Sequence, residues 1–117
     1  MIRPDVIVCE LSGIWATALR RYLPDEIRLR QTHRLAECAD ELAESPDSLL
    51  ALELTRENLS GLLDLLAGLG KKFPRARAVV LAERGWEPYE SLVREAGAVH
   101  FTIYKVTLKL IAIRPGE

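Results

Sequence analysis

Short apolar runs alternate in this sequence with segments whose apolar residues recur at helical spacing. The apolar runs are DVIVCE at residues 5–10, SLLALEL at 48–54, ARAVVLA at 76–82 and AVHFTIY at 98–104. Runs of this length and composition are typical of strands that are covered on both faces. A fifth run, EIRLRQT at 26–32, alternates apolar with polar residues and predicts a half-exposed edge strand.

Helical segments fill the intervals between these runs. Ser12 and Gly13 offer cap chemistry before the first helix, and Pro24 ends it. Asn58 is placed to cap the third helix, and Pro88 to occupy the first turn of the fourth. The apolar positions that define the four helices are Ile14, Ala18, Leu19, Tyr22 and Leu23; Leu35, Cys38, Ala39, Leu42 and Ala43; Leu59, Leu62, Leu63, Leu66 and Leu69; and Tyr89, Leu92, Val93 and Ala96.

This order of segments predicts an α/β fold. Five strands that alternate with helices over short loops form a parallel sheet with helices on both faces, because right-handed crossovers leave each strand sandwiched. The edge character of residues 26–32 favours the strand order 2-1-3-4-5 of the flavodoxin-like three-layer sandwich over the six-strand dinucleotide-binding order. We expect a single domain over residues 1–117, with a short C-terminal helix in the tail 105–117, which also fits a strand.

Composition and charge argue against several classes of function. Hydrophobic residues make up 49% and charged residues 28% of the chain, as in ordinary globular proteins. Because no apolar run is long enough to cross a bilayer and residues 1–10 do not resemble a signal peptide, we expect a cytoplasmic protein without a membrane partner. The net charge of −1 argues against a nucleic-acid partner, although Arg20, Arg21, Arg28, Arg30 and Arg34 lie close together in the sequence.

The motifs of common enzymes and metal sites are missing from the sequence. We find no catalytic triad, no pair of catalytic carboxylates and no P-loop, and the glycines of LAGLGKK at 66–72 end a helix instead of following a strand. Cys9 and Cys38 do not form a C-x-x-C pair and are interpreted as packing residues. His100 lies within a predicted strand and is interpreted as structural. We therefore expect no enzyme activity, no cofactor and no metal site.

Several strand ends resemble those of the receiver domain of bacterial two-component response regulators, and the resemblance covers almost the whole chain. VIVCE at 6–10 is similar to the first receiver strand, which ends in acidic residues that hold magnesium. SPDSLLALEL at 45–54 is similar to the third strand, which carries the phosphorylated aspartate. AVVLAE at 78–83 looks like the fourth strand, and REAGAVHF at 94–101 like the junction before the fifth.

The residues that would carry receiver chemistry depart from the family pattern. Cys9 stands at the first acidic position and Glu10 at the second, so a soft thiol replaces a ligand suited to Mg²⁺. The phosphoacceptor position falls on Leu52 or Glu53, and neither is an aspartate. By the resemblance, a glutamate at this position imitates the charge of the phosphorylated state. Because a buried carboxylate is costly unless paired, we expect Glu53 to face the crevice at the strand ends or to turn outward to water.

The remaining two parts of the receiver site are also altered. Ala82 stands where the family has a switch hydroxyl, and Tyr104-Lys105-Val106 replaces its lysine-proline pair. Lys105 supplies the cation only if the register shifts by one residue. The resemblance therefore implies a degenerate receiver, with a framework that is kept and a phosphotransfer site that is not.

The resulting hypothesis is a non-catalytic, receiver-like signalling domain that acts through a protein partner or as a homodimer, without aspartyl phosphorylation. The alternative is a flavodoxin-like protein that binds a small molecule or nucleotide at the strand ends. The predicted interaction face comprises Trp86, Tyr89, Val93, Phe101 and Tyr104, and the alternative site comprises Glu10, Ser12, Glu53 and Lys105.

Overall fold

A computed structural model describes residues 5–11 and 13–104 of the protein. Within these ranges five strands alternate with four α-helices, and a single turn of 3-10 helix, Glu87–Tyr89, precedes the last helix. The strands are β1 (Asp5–Cys9), β2 (Arg28–Thr32), β3 (Leu49–Glu53), β4 (Arg77–Glu83) and β5 (His100–Tyr104). The helices are α1 (Ile14–Tyr22), α2 (Leu35–Glu44), α3 (Leu59–Lys72) and α4 (Glu90–Ala96).

The strands form one parallel sheet in the order β2-β1-β3-β4-β5. The predicted flavodoxin-like α/β fold is therefore confirmed, and so is the edge position of β2. The register sets Cys9 opposite both Thr32 and Leu52, and Glu53 opposite Leu81. The carboxyl ends of the three central strands consequently meet at one edge of the sheet.

Two apolar layers cover the sheet, one on each face. Alternate residues of a strand point to opposite faces, so Ile7 and Leu50 join one layer while Val8 and Ala51 join the other. The first layer contains buried side chains of α2, α3 and α4, and the second contains Trp15 and other residues of α1. The continuous apolar runs of β1 and β3 follow from this burial on both faces.

An ion-pair cluster fastens β1 to its neighbours at the amino edge of the sheet. The Asp5 carboxylate is only 5% exposed and accepts hydrogen bonds from Arg28 Nη2 at 3.2 Å and from Ser45 Oγ at 2.8 Å. Arg30 Nη2 lies 3.5 Å from the same carboxylate. The hydrogen bond from Arg28 is the largest cause that lowers the pKa of Asp5 below its ordinary value. Arg28 and Arg30, two of the five arginines that lie close together in the sequence, thus form ion pairs within the domain.

A few local predictions differ from the structure. Pro88 lies in the 3-10 turn, and α4 begins only at Glu90, after that turn. His100 is the first residue of β5 and is exposed, so it lies at the strand's start and not within it. The tail 105–117, for which a short helix was predicted, lies outside the described residues. None of the helices in the described ranges is both long and apolar enough to span a bilayer.

Gly97 ends α4 in a conformation that side chains rarely adopt. Its φ is +139°, and a Cβ built at this position would lie 2.9 Å from the backbone oxygen of Leu66 in α3. A side chain at position 97 therefore requires both backbone strain and a displacement of α3. Gly68, in the interior of α3, has nothing within 4 Å of such a Cβ.

We predict that Gly97→Ala lowers the free energy of unfolding by about 2 kcal/mol or more, because the strain and the contact with Leu66 add. Gly68→Ala is the matched control and should raise stability by up to about 1 kcal/mol, since alanine is the better helix former. Urea denaturation followed by circular dichroism measures both changes. Equal effects of the two substitutions would contradict the assigned backbone geometry at Gly97.

Candidate functional site

The carboxyl edge of the sheet is where ligands bind in open α/β folds. The structure brings five of the six residues predicted for the degenerate phosphoacceptor region to this edge, and the sixth, Lys105, lies outside the described residues. The five are Cys9, Glu10, Leu52, Glu53 and Ala82. Their side chains, however, point into different environments.

Glu10 is turned into the protein and caps helix α1. Its side chain is only 2% exposed, with Oε1 accepting the backbone N–H of Trp15 at 2.8 Å and Oε2 that of Ala16 at 2.6 Å. The first amides of a helix have no partner within the helix, and their partial positive charge favours a carboxylate. Both oxygens of Glu10 are therefore engaged in holding the start of α1.

This contact adds to the predicted capping of α1, which is confirmed for Gly13. Gly13 is the N-cap residue, with φ +82°, and it offers no side chain, while Ser12 lies outside the described residues. Among the described residues, the side chain that accepts the first N–H groups of α1 is that of Glu10, which follows the preceding strand. A carboxylate that follows an apolar strand and precedes a helix start by a few residues was the available signal in the sequence.

The backbone of Glu10 is held as firmly as its side chain. Its N–H donates to the carbonyl oxygen of Thr32 at 3.1 Å, and its own carbonyl oxygen accepts a hydrogen bond from His33 Nδ1 at 2.9 Å. Thr32 Oγ1 in turn donates to the Val8 carbonyl at 3.1 Å. His33 was not singled out in the sequence, and its role is to fix the β1–α1 junction.

The two cysteines are buried thiols. Cys9 is 3% exposed and Cys38 is fully buried. Burial raises the pKa of Cys9, and it raises the pKa of Cys38 to about 12. A neutral, buried thiol is neither a nucleophile nor a metal ligand. Within residues 5–11 and 13–104, no group of three or more His, Cys, Asp or Glu side chains is arranged to hold a metal ion.

Leu52 and Glu53, the two candidates for the phosphoacceptor position, face opposite sides of the sheet. Leu52 is fully buried in the layer shared with α2 and α3, where Ala82 is also fully buried. Glu53 is partly exposed, and its Oε1 accepts the backbone N–H of Leu11 at 3.1 Å. Glu53 therefore faces the crevice and bridges β3 to the β1–α1 loop.

Asn58, at the start of α3, holds the backbone of Glu53 in place by a hydrogen bond. Asn58 Nδ2 donates to the Glu53 carbonyl oxygen at 2.7 Å, and Asn58 Oδ1 accepts the N–H of Thr55 at 2.8 Å. The N–H of Asn58 donates to Thr55 Oγ1 at 3.2 Å. Asn58 is the N-cap of α3 as predicted, but its side chain bonds backwards to the β3–α3 loop and not forwards to the helix.

A cleft of about 770 Å³ opens beside Glu53, between the loops that follow β3 and β4. Leu11, Glu53 and the ring pair of Trp86 and Tyr89 contribute to its walls. The two rings meet edge to face, with centroids 5.0 Å apart and an interplanar angle of 62°. The sequence predicted a crevice at the strand ends that Glu53 faces, but it did not predict that Leu11, Trp86 and Tyr89 line it, because these residues come from separate loops.

The predicted interaction face is only partly at the surface. Val93 is fully buried and Phe101 is 6% exposed, so both are core residues and the prediction that they form a contact surface is wrong. Tyr89 and Leu92 are 38% and 45% exposed, and we refer to these two residues as the α4 face. Of Tyr104, only the backbone, in β5, is described.

No family model, no curated protein and no solved structure matches this chain. Function is therefore inferred from the geometry of the described residues.

We predict that Glu10→Gln lowers the free energy of unfolding by about 1–3 kcal/mol, because an amide group cannot accept from both helix N–H groups without opposing one of them. Urea denaturation measures the change, and Glu57→Gln, on the exposed rim of the cleft, is the matched control with an expected change near zero. Magnesium should leave the midpoint of the wild type unchanged. A midpoint that rises with Mg²⁺ in the wild type but not in Glu10→Gln would identify Glu10 as a metal ligand and contradict its capping role.

Proposed function

We propose that the protein is a non-catalytic, receiver-like signalling domain that acts by contact with another protein or with a second copy of itself, without phosphorylation of β3. The observation that carries this proposal is the engagement of both Glu10 oxygens by the backbone of α1. A phosphotransfer site of the receiver kind needs carboxylates that are free to hold Mg²⁺ and an aspartate to accept the phosphoryl group.

The other residues at the edge support the same proposal. Leu52 and Ala82 are buried apolar side chains, and Cys9 is a buried thiol whose pKa is raised. Glu53 places a carboxylate at the crevice and ties β3 to the β1–α1 loop through Leu11. In this proposal the domain stays in a single conformation, because no phosphoryl group is added to change it.

The α4 face supports a role in protein contact. Tyr89 and Leu92 are three residues apart, so their side chains lie on neighbouring turns at the surface. Together with the adjacent Trp86 ring they form an aromatic and aliphatic group of the kind that anchors protein interfaces.

We expect no phosphoryl adduct when the protein is incubated with acetyl phosphate and Mg²⁺ and its intact mass is measured. The physical reason is that the described edge offers no aspartate acceptor and that both oxygens of Glu10, at an acidic position of the receiver pattern, are engaged by α1. Glu53→Gln is the control, because it removes the carboxylate of β3 that could carry an adduct. An adduct that forms on the wild type and is lost in Glu53→Gln would refute a function without phosphorylation.

We predict that the protein self-associates at high concentration and that Leu92→Asp reduces this association, because a charge on the α4 face must then be buried at the contact. Light scattering coupled to size-exclusion chromatography measures the mass. Tyr22→Asp is the control, since Tyr22 is 66% exposed on α1, away from α4. A wild type that is monomeric at all concentrations would rule out the homodimer, and association lost in Tyr22→Asp but kept in Leu92→Asp would contradict the α4 face.

A further inference from the structure

The loop between β4 and α4 is held as a series of tight turns that build one wall of the cleft. The N–H of Trp86 donates to the Glu83 carbonyl oxygen at 3.3 Å, and the N–H of Tyr89 donates to the Trp86 carbonyl at 2.9 Å. The N–H of Gly85 donates to Glu87 Oε1 at 2.7 Å. Glu83, Trp86 and Tyr89 therefore line the cleft in fixed relative positions.

Glutamates from three places in the chain line the same cleft as these aromatic rings. Glu53 and Glu83 are the last residues of β3 and β4, and Glu57 belongs to the β3–α3 loop. The side chains of Glu57 and Glu83 form no hydrogen bond or ion pair with any residue that the structure describes. Their charges are available to a ligand, in contrast to that of Glu10.

We propose that this cleft binds an arginine side chain from a basic segment of a partner protein. The proposal rests on the function proposed above and names the chemistry of the partner. A guanidinium group is planar and stacks on an aromatic face, and its N–H donors pair with a carboxylate at the same time. Glu83 and Trp86 both line the cleft and are joined by a backbone hydrogen bond, so the proposed arginine would stack on Trp86 and pair with Glu83.

The composition of the cleft favours a cation over a phosphate-bearing ligand. Its described walls contain three glutamates and two arginines, Arg56 and Arg84. Carboxylates beside the aromatic pair repel a phosphate and attract a guanidinium. The volume of about 770 Å³ accommodates a side chain together with the adjoining peptide backbone.

The test uses the full chain and three capped tripeptides: Gly-Arg-Gly, its citrulline counterpart, which is neutral and of the same shape, and Gly-Lys-Gly. Binding is followed by NMR through the indole N–H signals of the two tryptophans, assigned by the loss of one signal in Trp86→Phe. Trp15 packs on the opposite face of the sheet from α4 and is the internal reference. The Trp86 signal should shift saturably with the arginine peptide while the Trp15 signal stays in place.

Binding of the citrulline peptide should be weaker by about tenfold, and that of the lysine peptide should be intermediate. Glu83→Gln should weaken arginine binding by about tenfold, whereas Glu95→Gln, on the exposed surface of α4 outside the cleft, should leave it unchanged. Equal shifts by the arginine and citrulline peptides, an unmoved Trp86 signal, or tighter saturable binding of adenosine monophosphate would each overturn the proposal.

The two proposals fail separately. If the arginine peptide leaves Trp86 unmoved while Leu92→Asp still reduces association and no phosphoryl adduct forms, the arginine site is wrong and the contact function stands. A phosphoryl adduct lost in Glu53→Gln removes the proposed function whatever the peptides do.

Discussion

The buried carboxylate of Glu10, bound by the first amides of α1, is the contact on which the rest of the candidate site depends. A charged group that is 2% exposed is stable only when its oxygens are engaged, and the Trp15 and Ala16 N–H groups engage both. The same contact fixes where α1 begins and how the β1–α1 loop crosses the edge of the sheet. Leu11, in that loop, is thereby presented to Glu53.

From this arrangement Glu10 and Glu53, which follow or end neighbouring strands, acquire different roles. Glu10 belongs to the interior and contributes to stability, whereas Glu53 lies at the crevice and links two loops. A pair of carboxylates that hold a divalent ion in common would need both to face the same solvent-filled space. Here Glu10 faces a helix terminus, and both glutamates accept backbone N–H groups, so their carboxylates hold loops and a helix start in place at the strand ends.

The sequence predicted the fold more completely than the site. The alternation of Arg28, Leu29 and Arg30 against the continuous apolar run of β1 predicted an edge position for β2 and favoured the observed strand order, because such patterns reflect burial on one face or on both. The sequence did not predict which of Leu52 and Glu53 faces the core, since a shift of one residue exchanges the two faces of a strand.

The surface of α4 illustrates a second limit on what the sequence pattern predicts about burial. Leu92 and Val93 are adjacent apolar residues on a helix of seven residues, and the apolar pattern of so short a helix does not decide which of them is buried. Contacts with α3 and β5 decide it, and they place Val93 in the core. A crevice at the strand ends was predicted, but its lining was not: Leu11, Glu53 and Trp86 meet only because three loops converge at the carboxyl edge.

Paramagnetic relaxation by Mn²⁺, used in place of Mg²⁺, tests most directly whether the Glu10 carboxylate serves the helix or a metal. If it caps α1, any broadening of the backbone amide signals of Trp15 and Ala16 by Mn²⁺ is the same in the wild type and in Glu10→Gln. Broadening of these two signals at low Mn²⁺ concentration that is lost in Glu10→Gln would place a divalent ion at Glu10 and contradict the capping role.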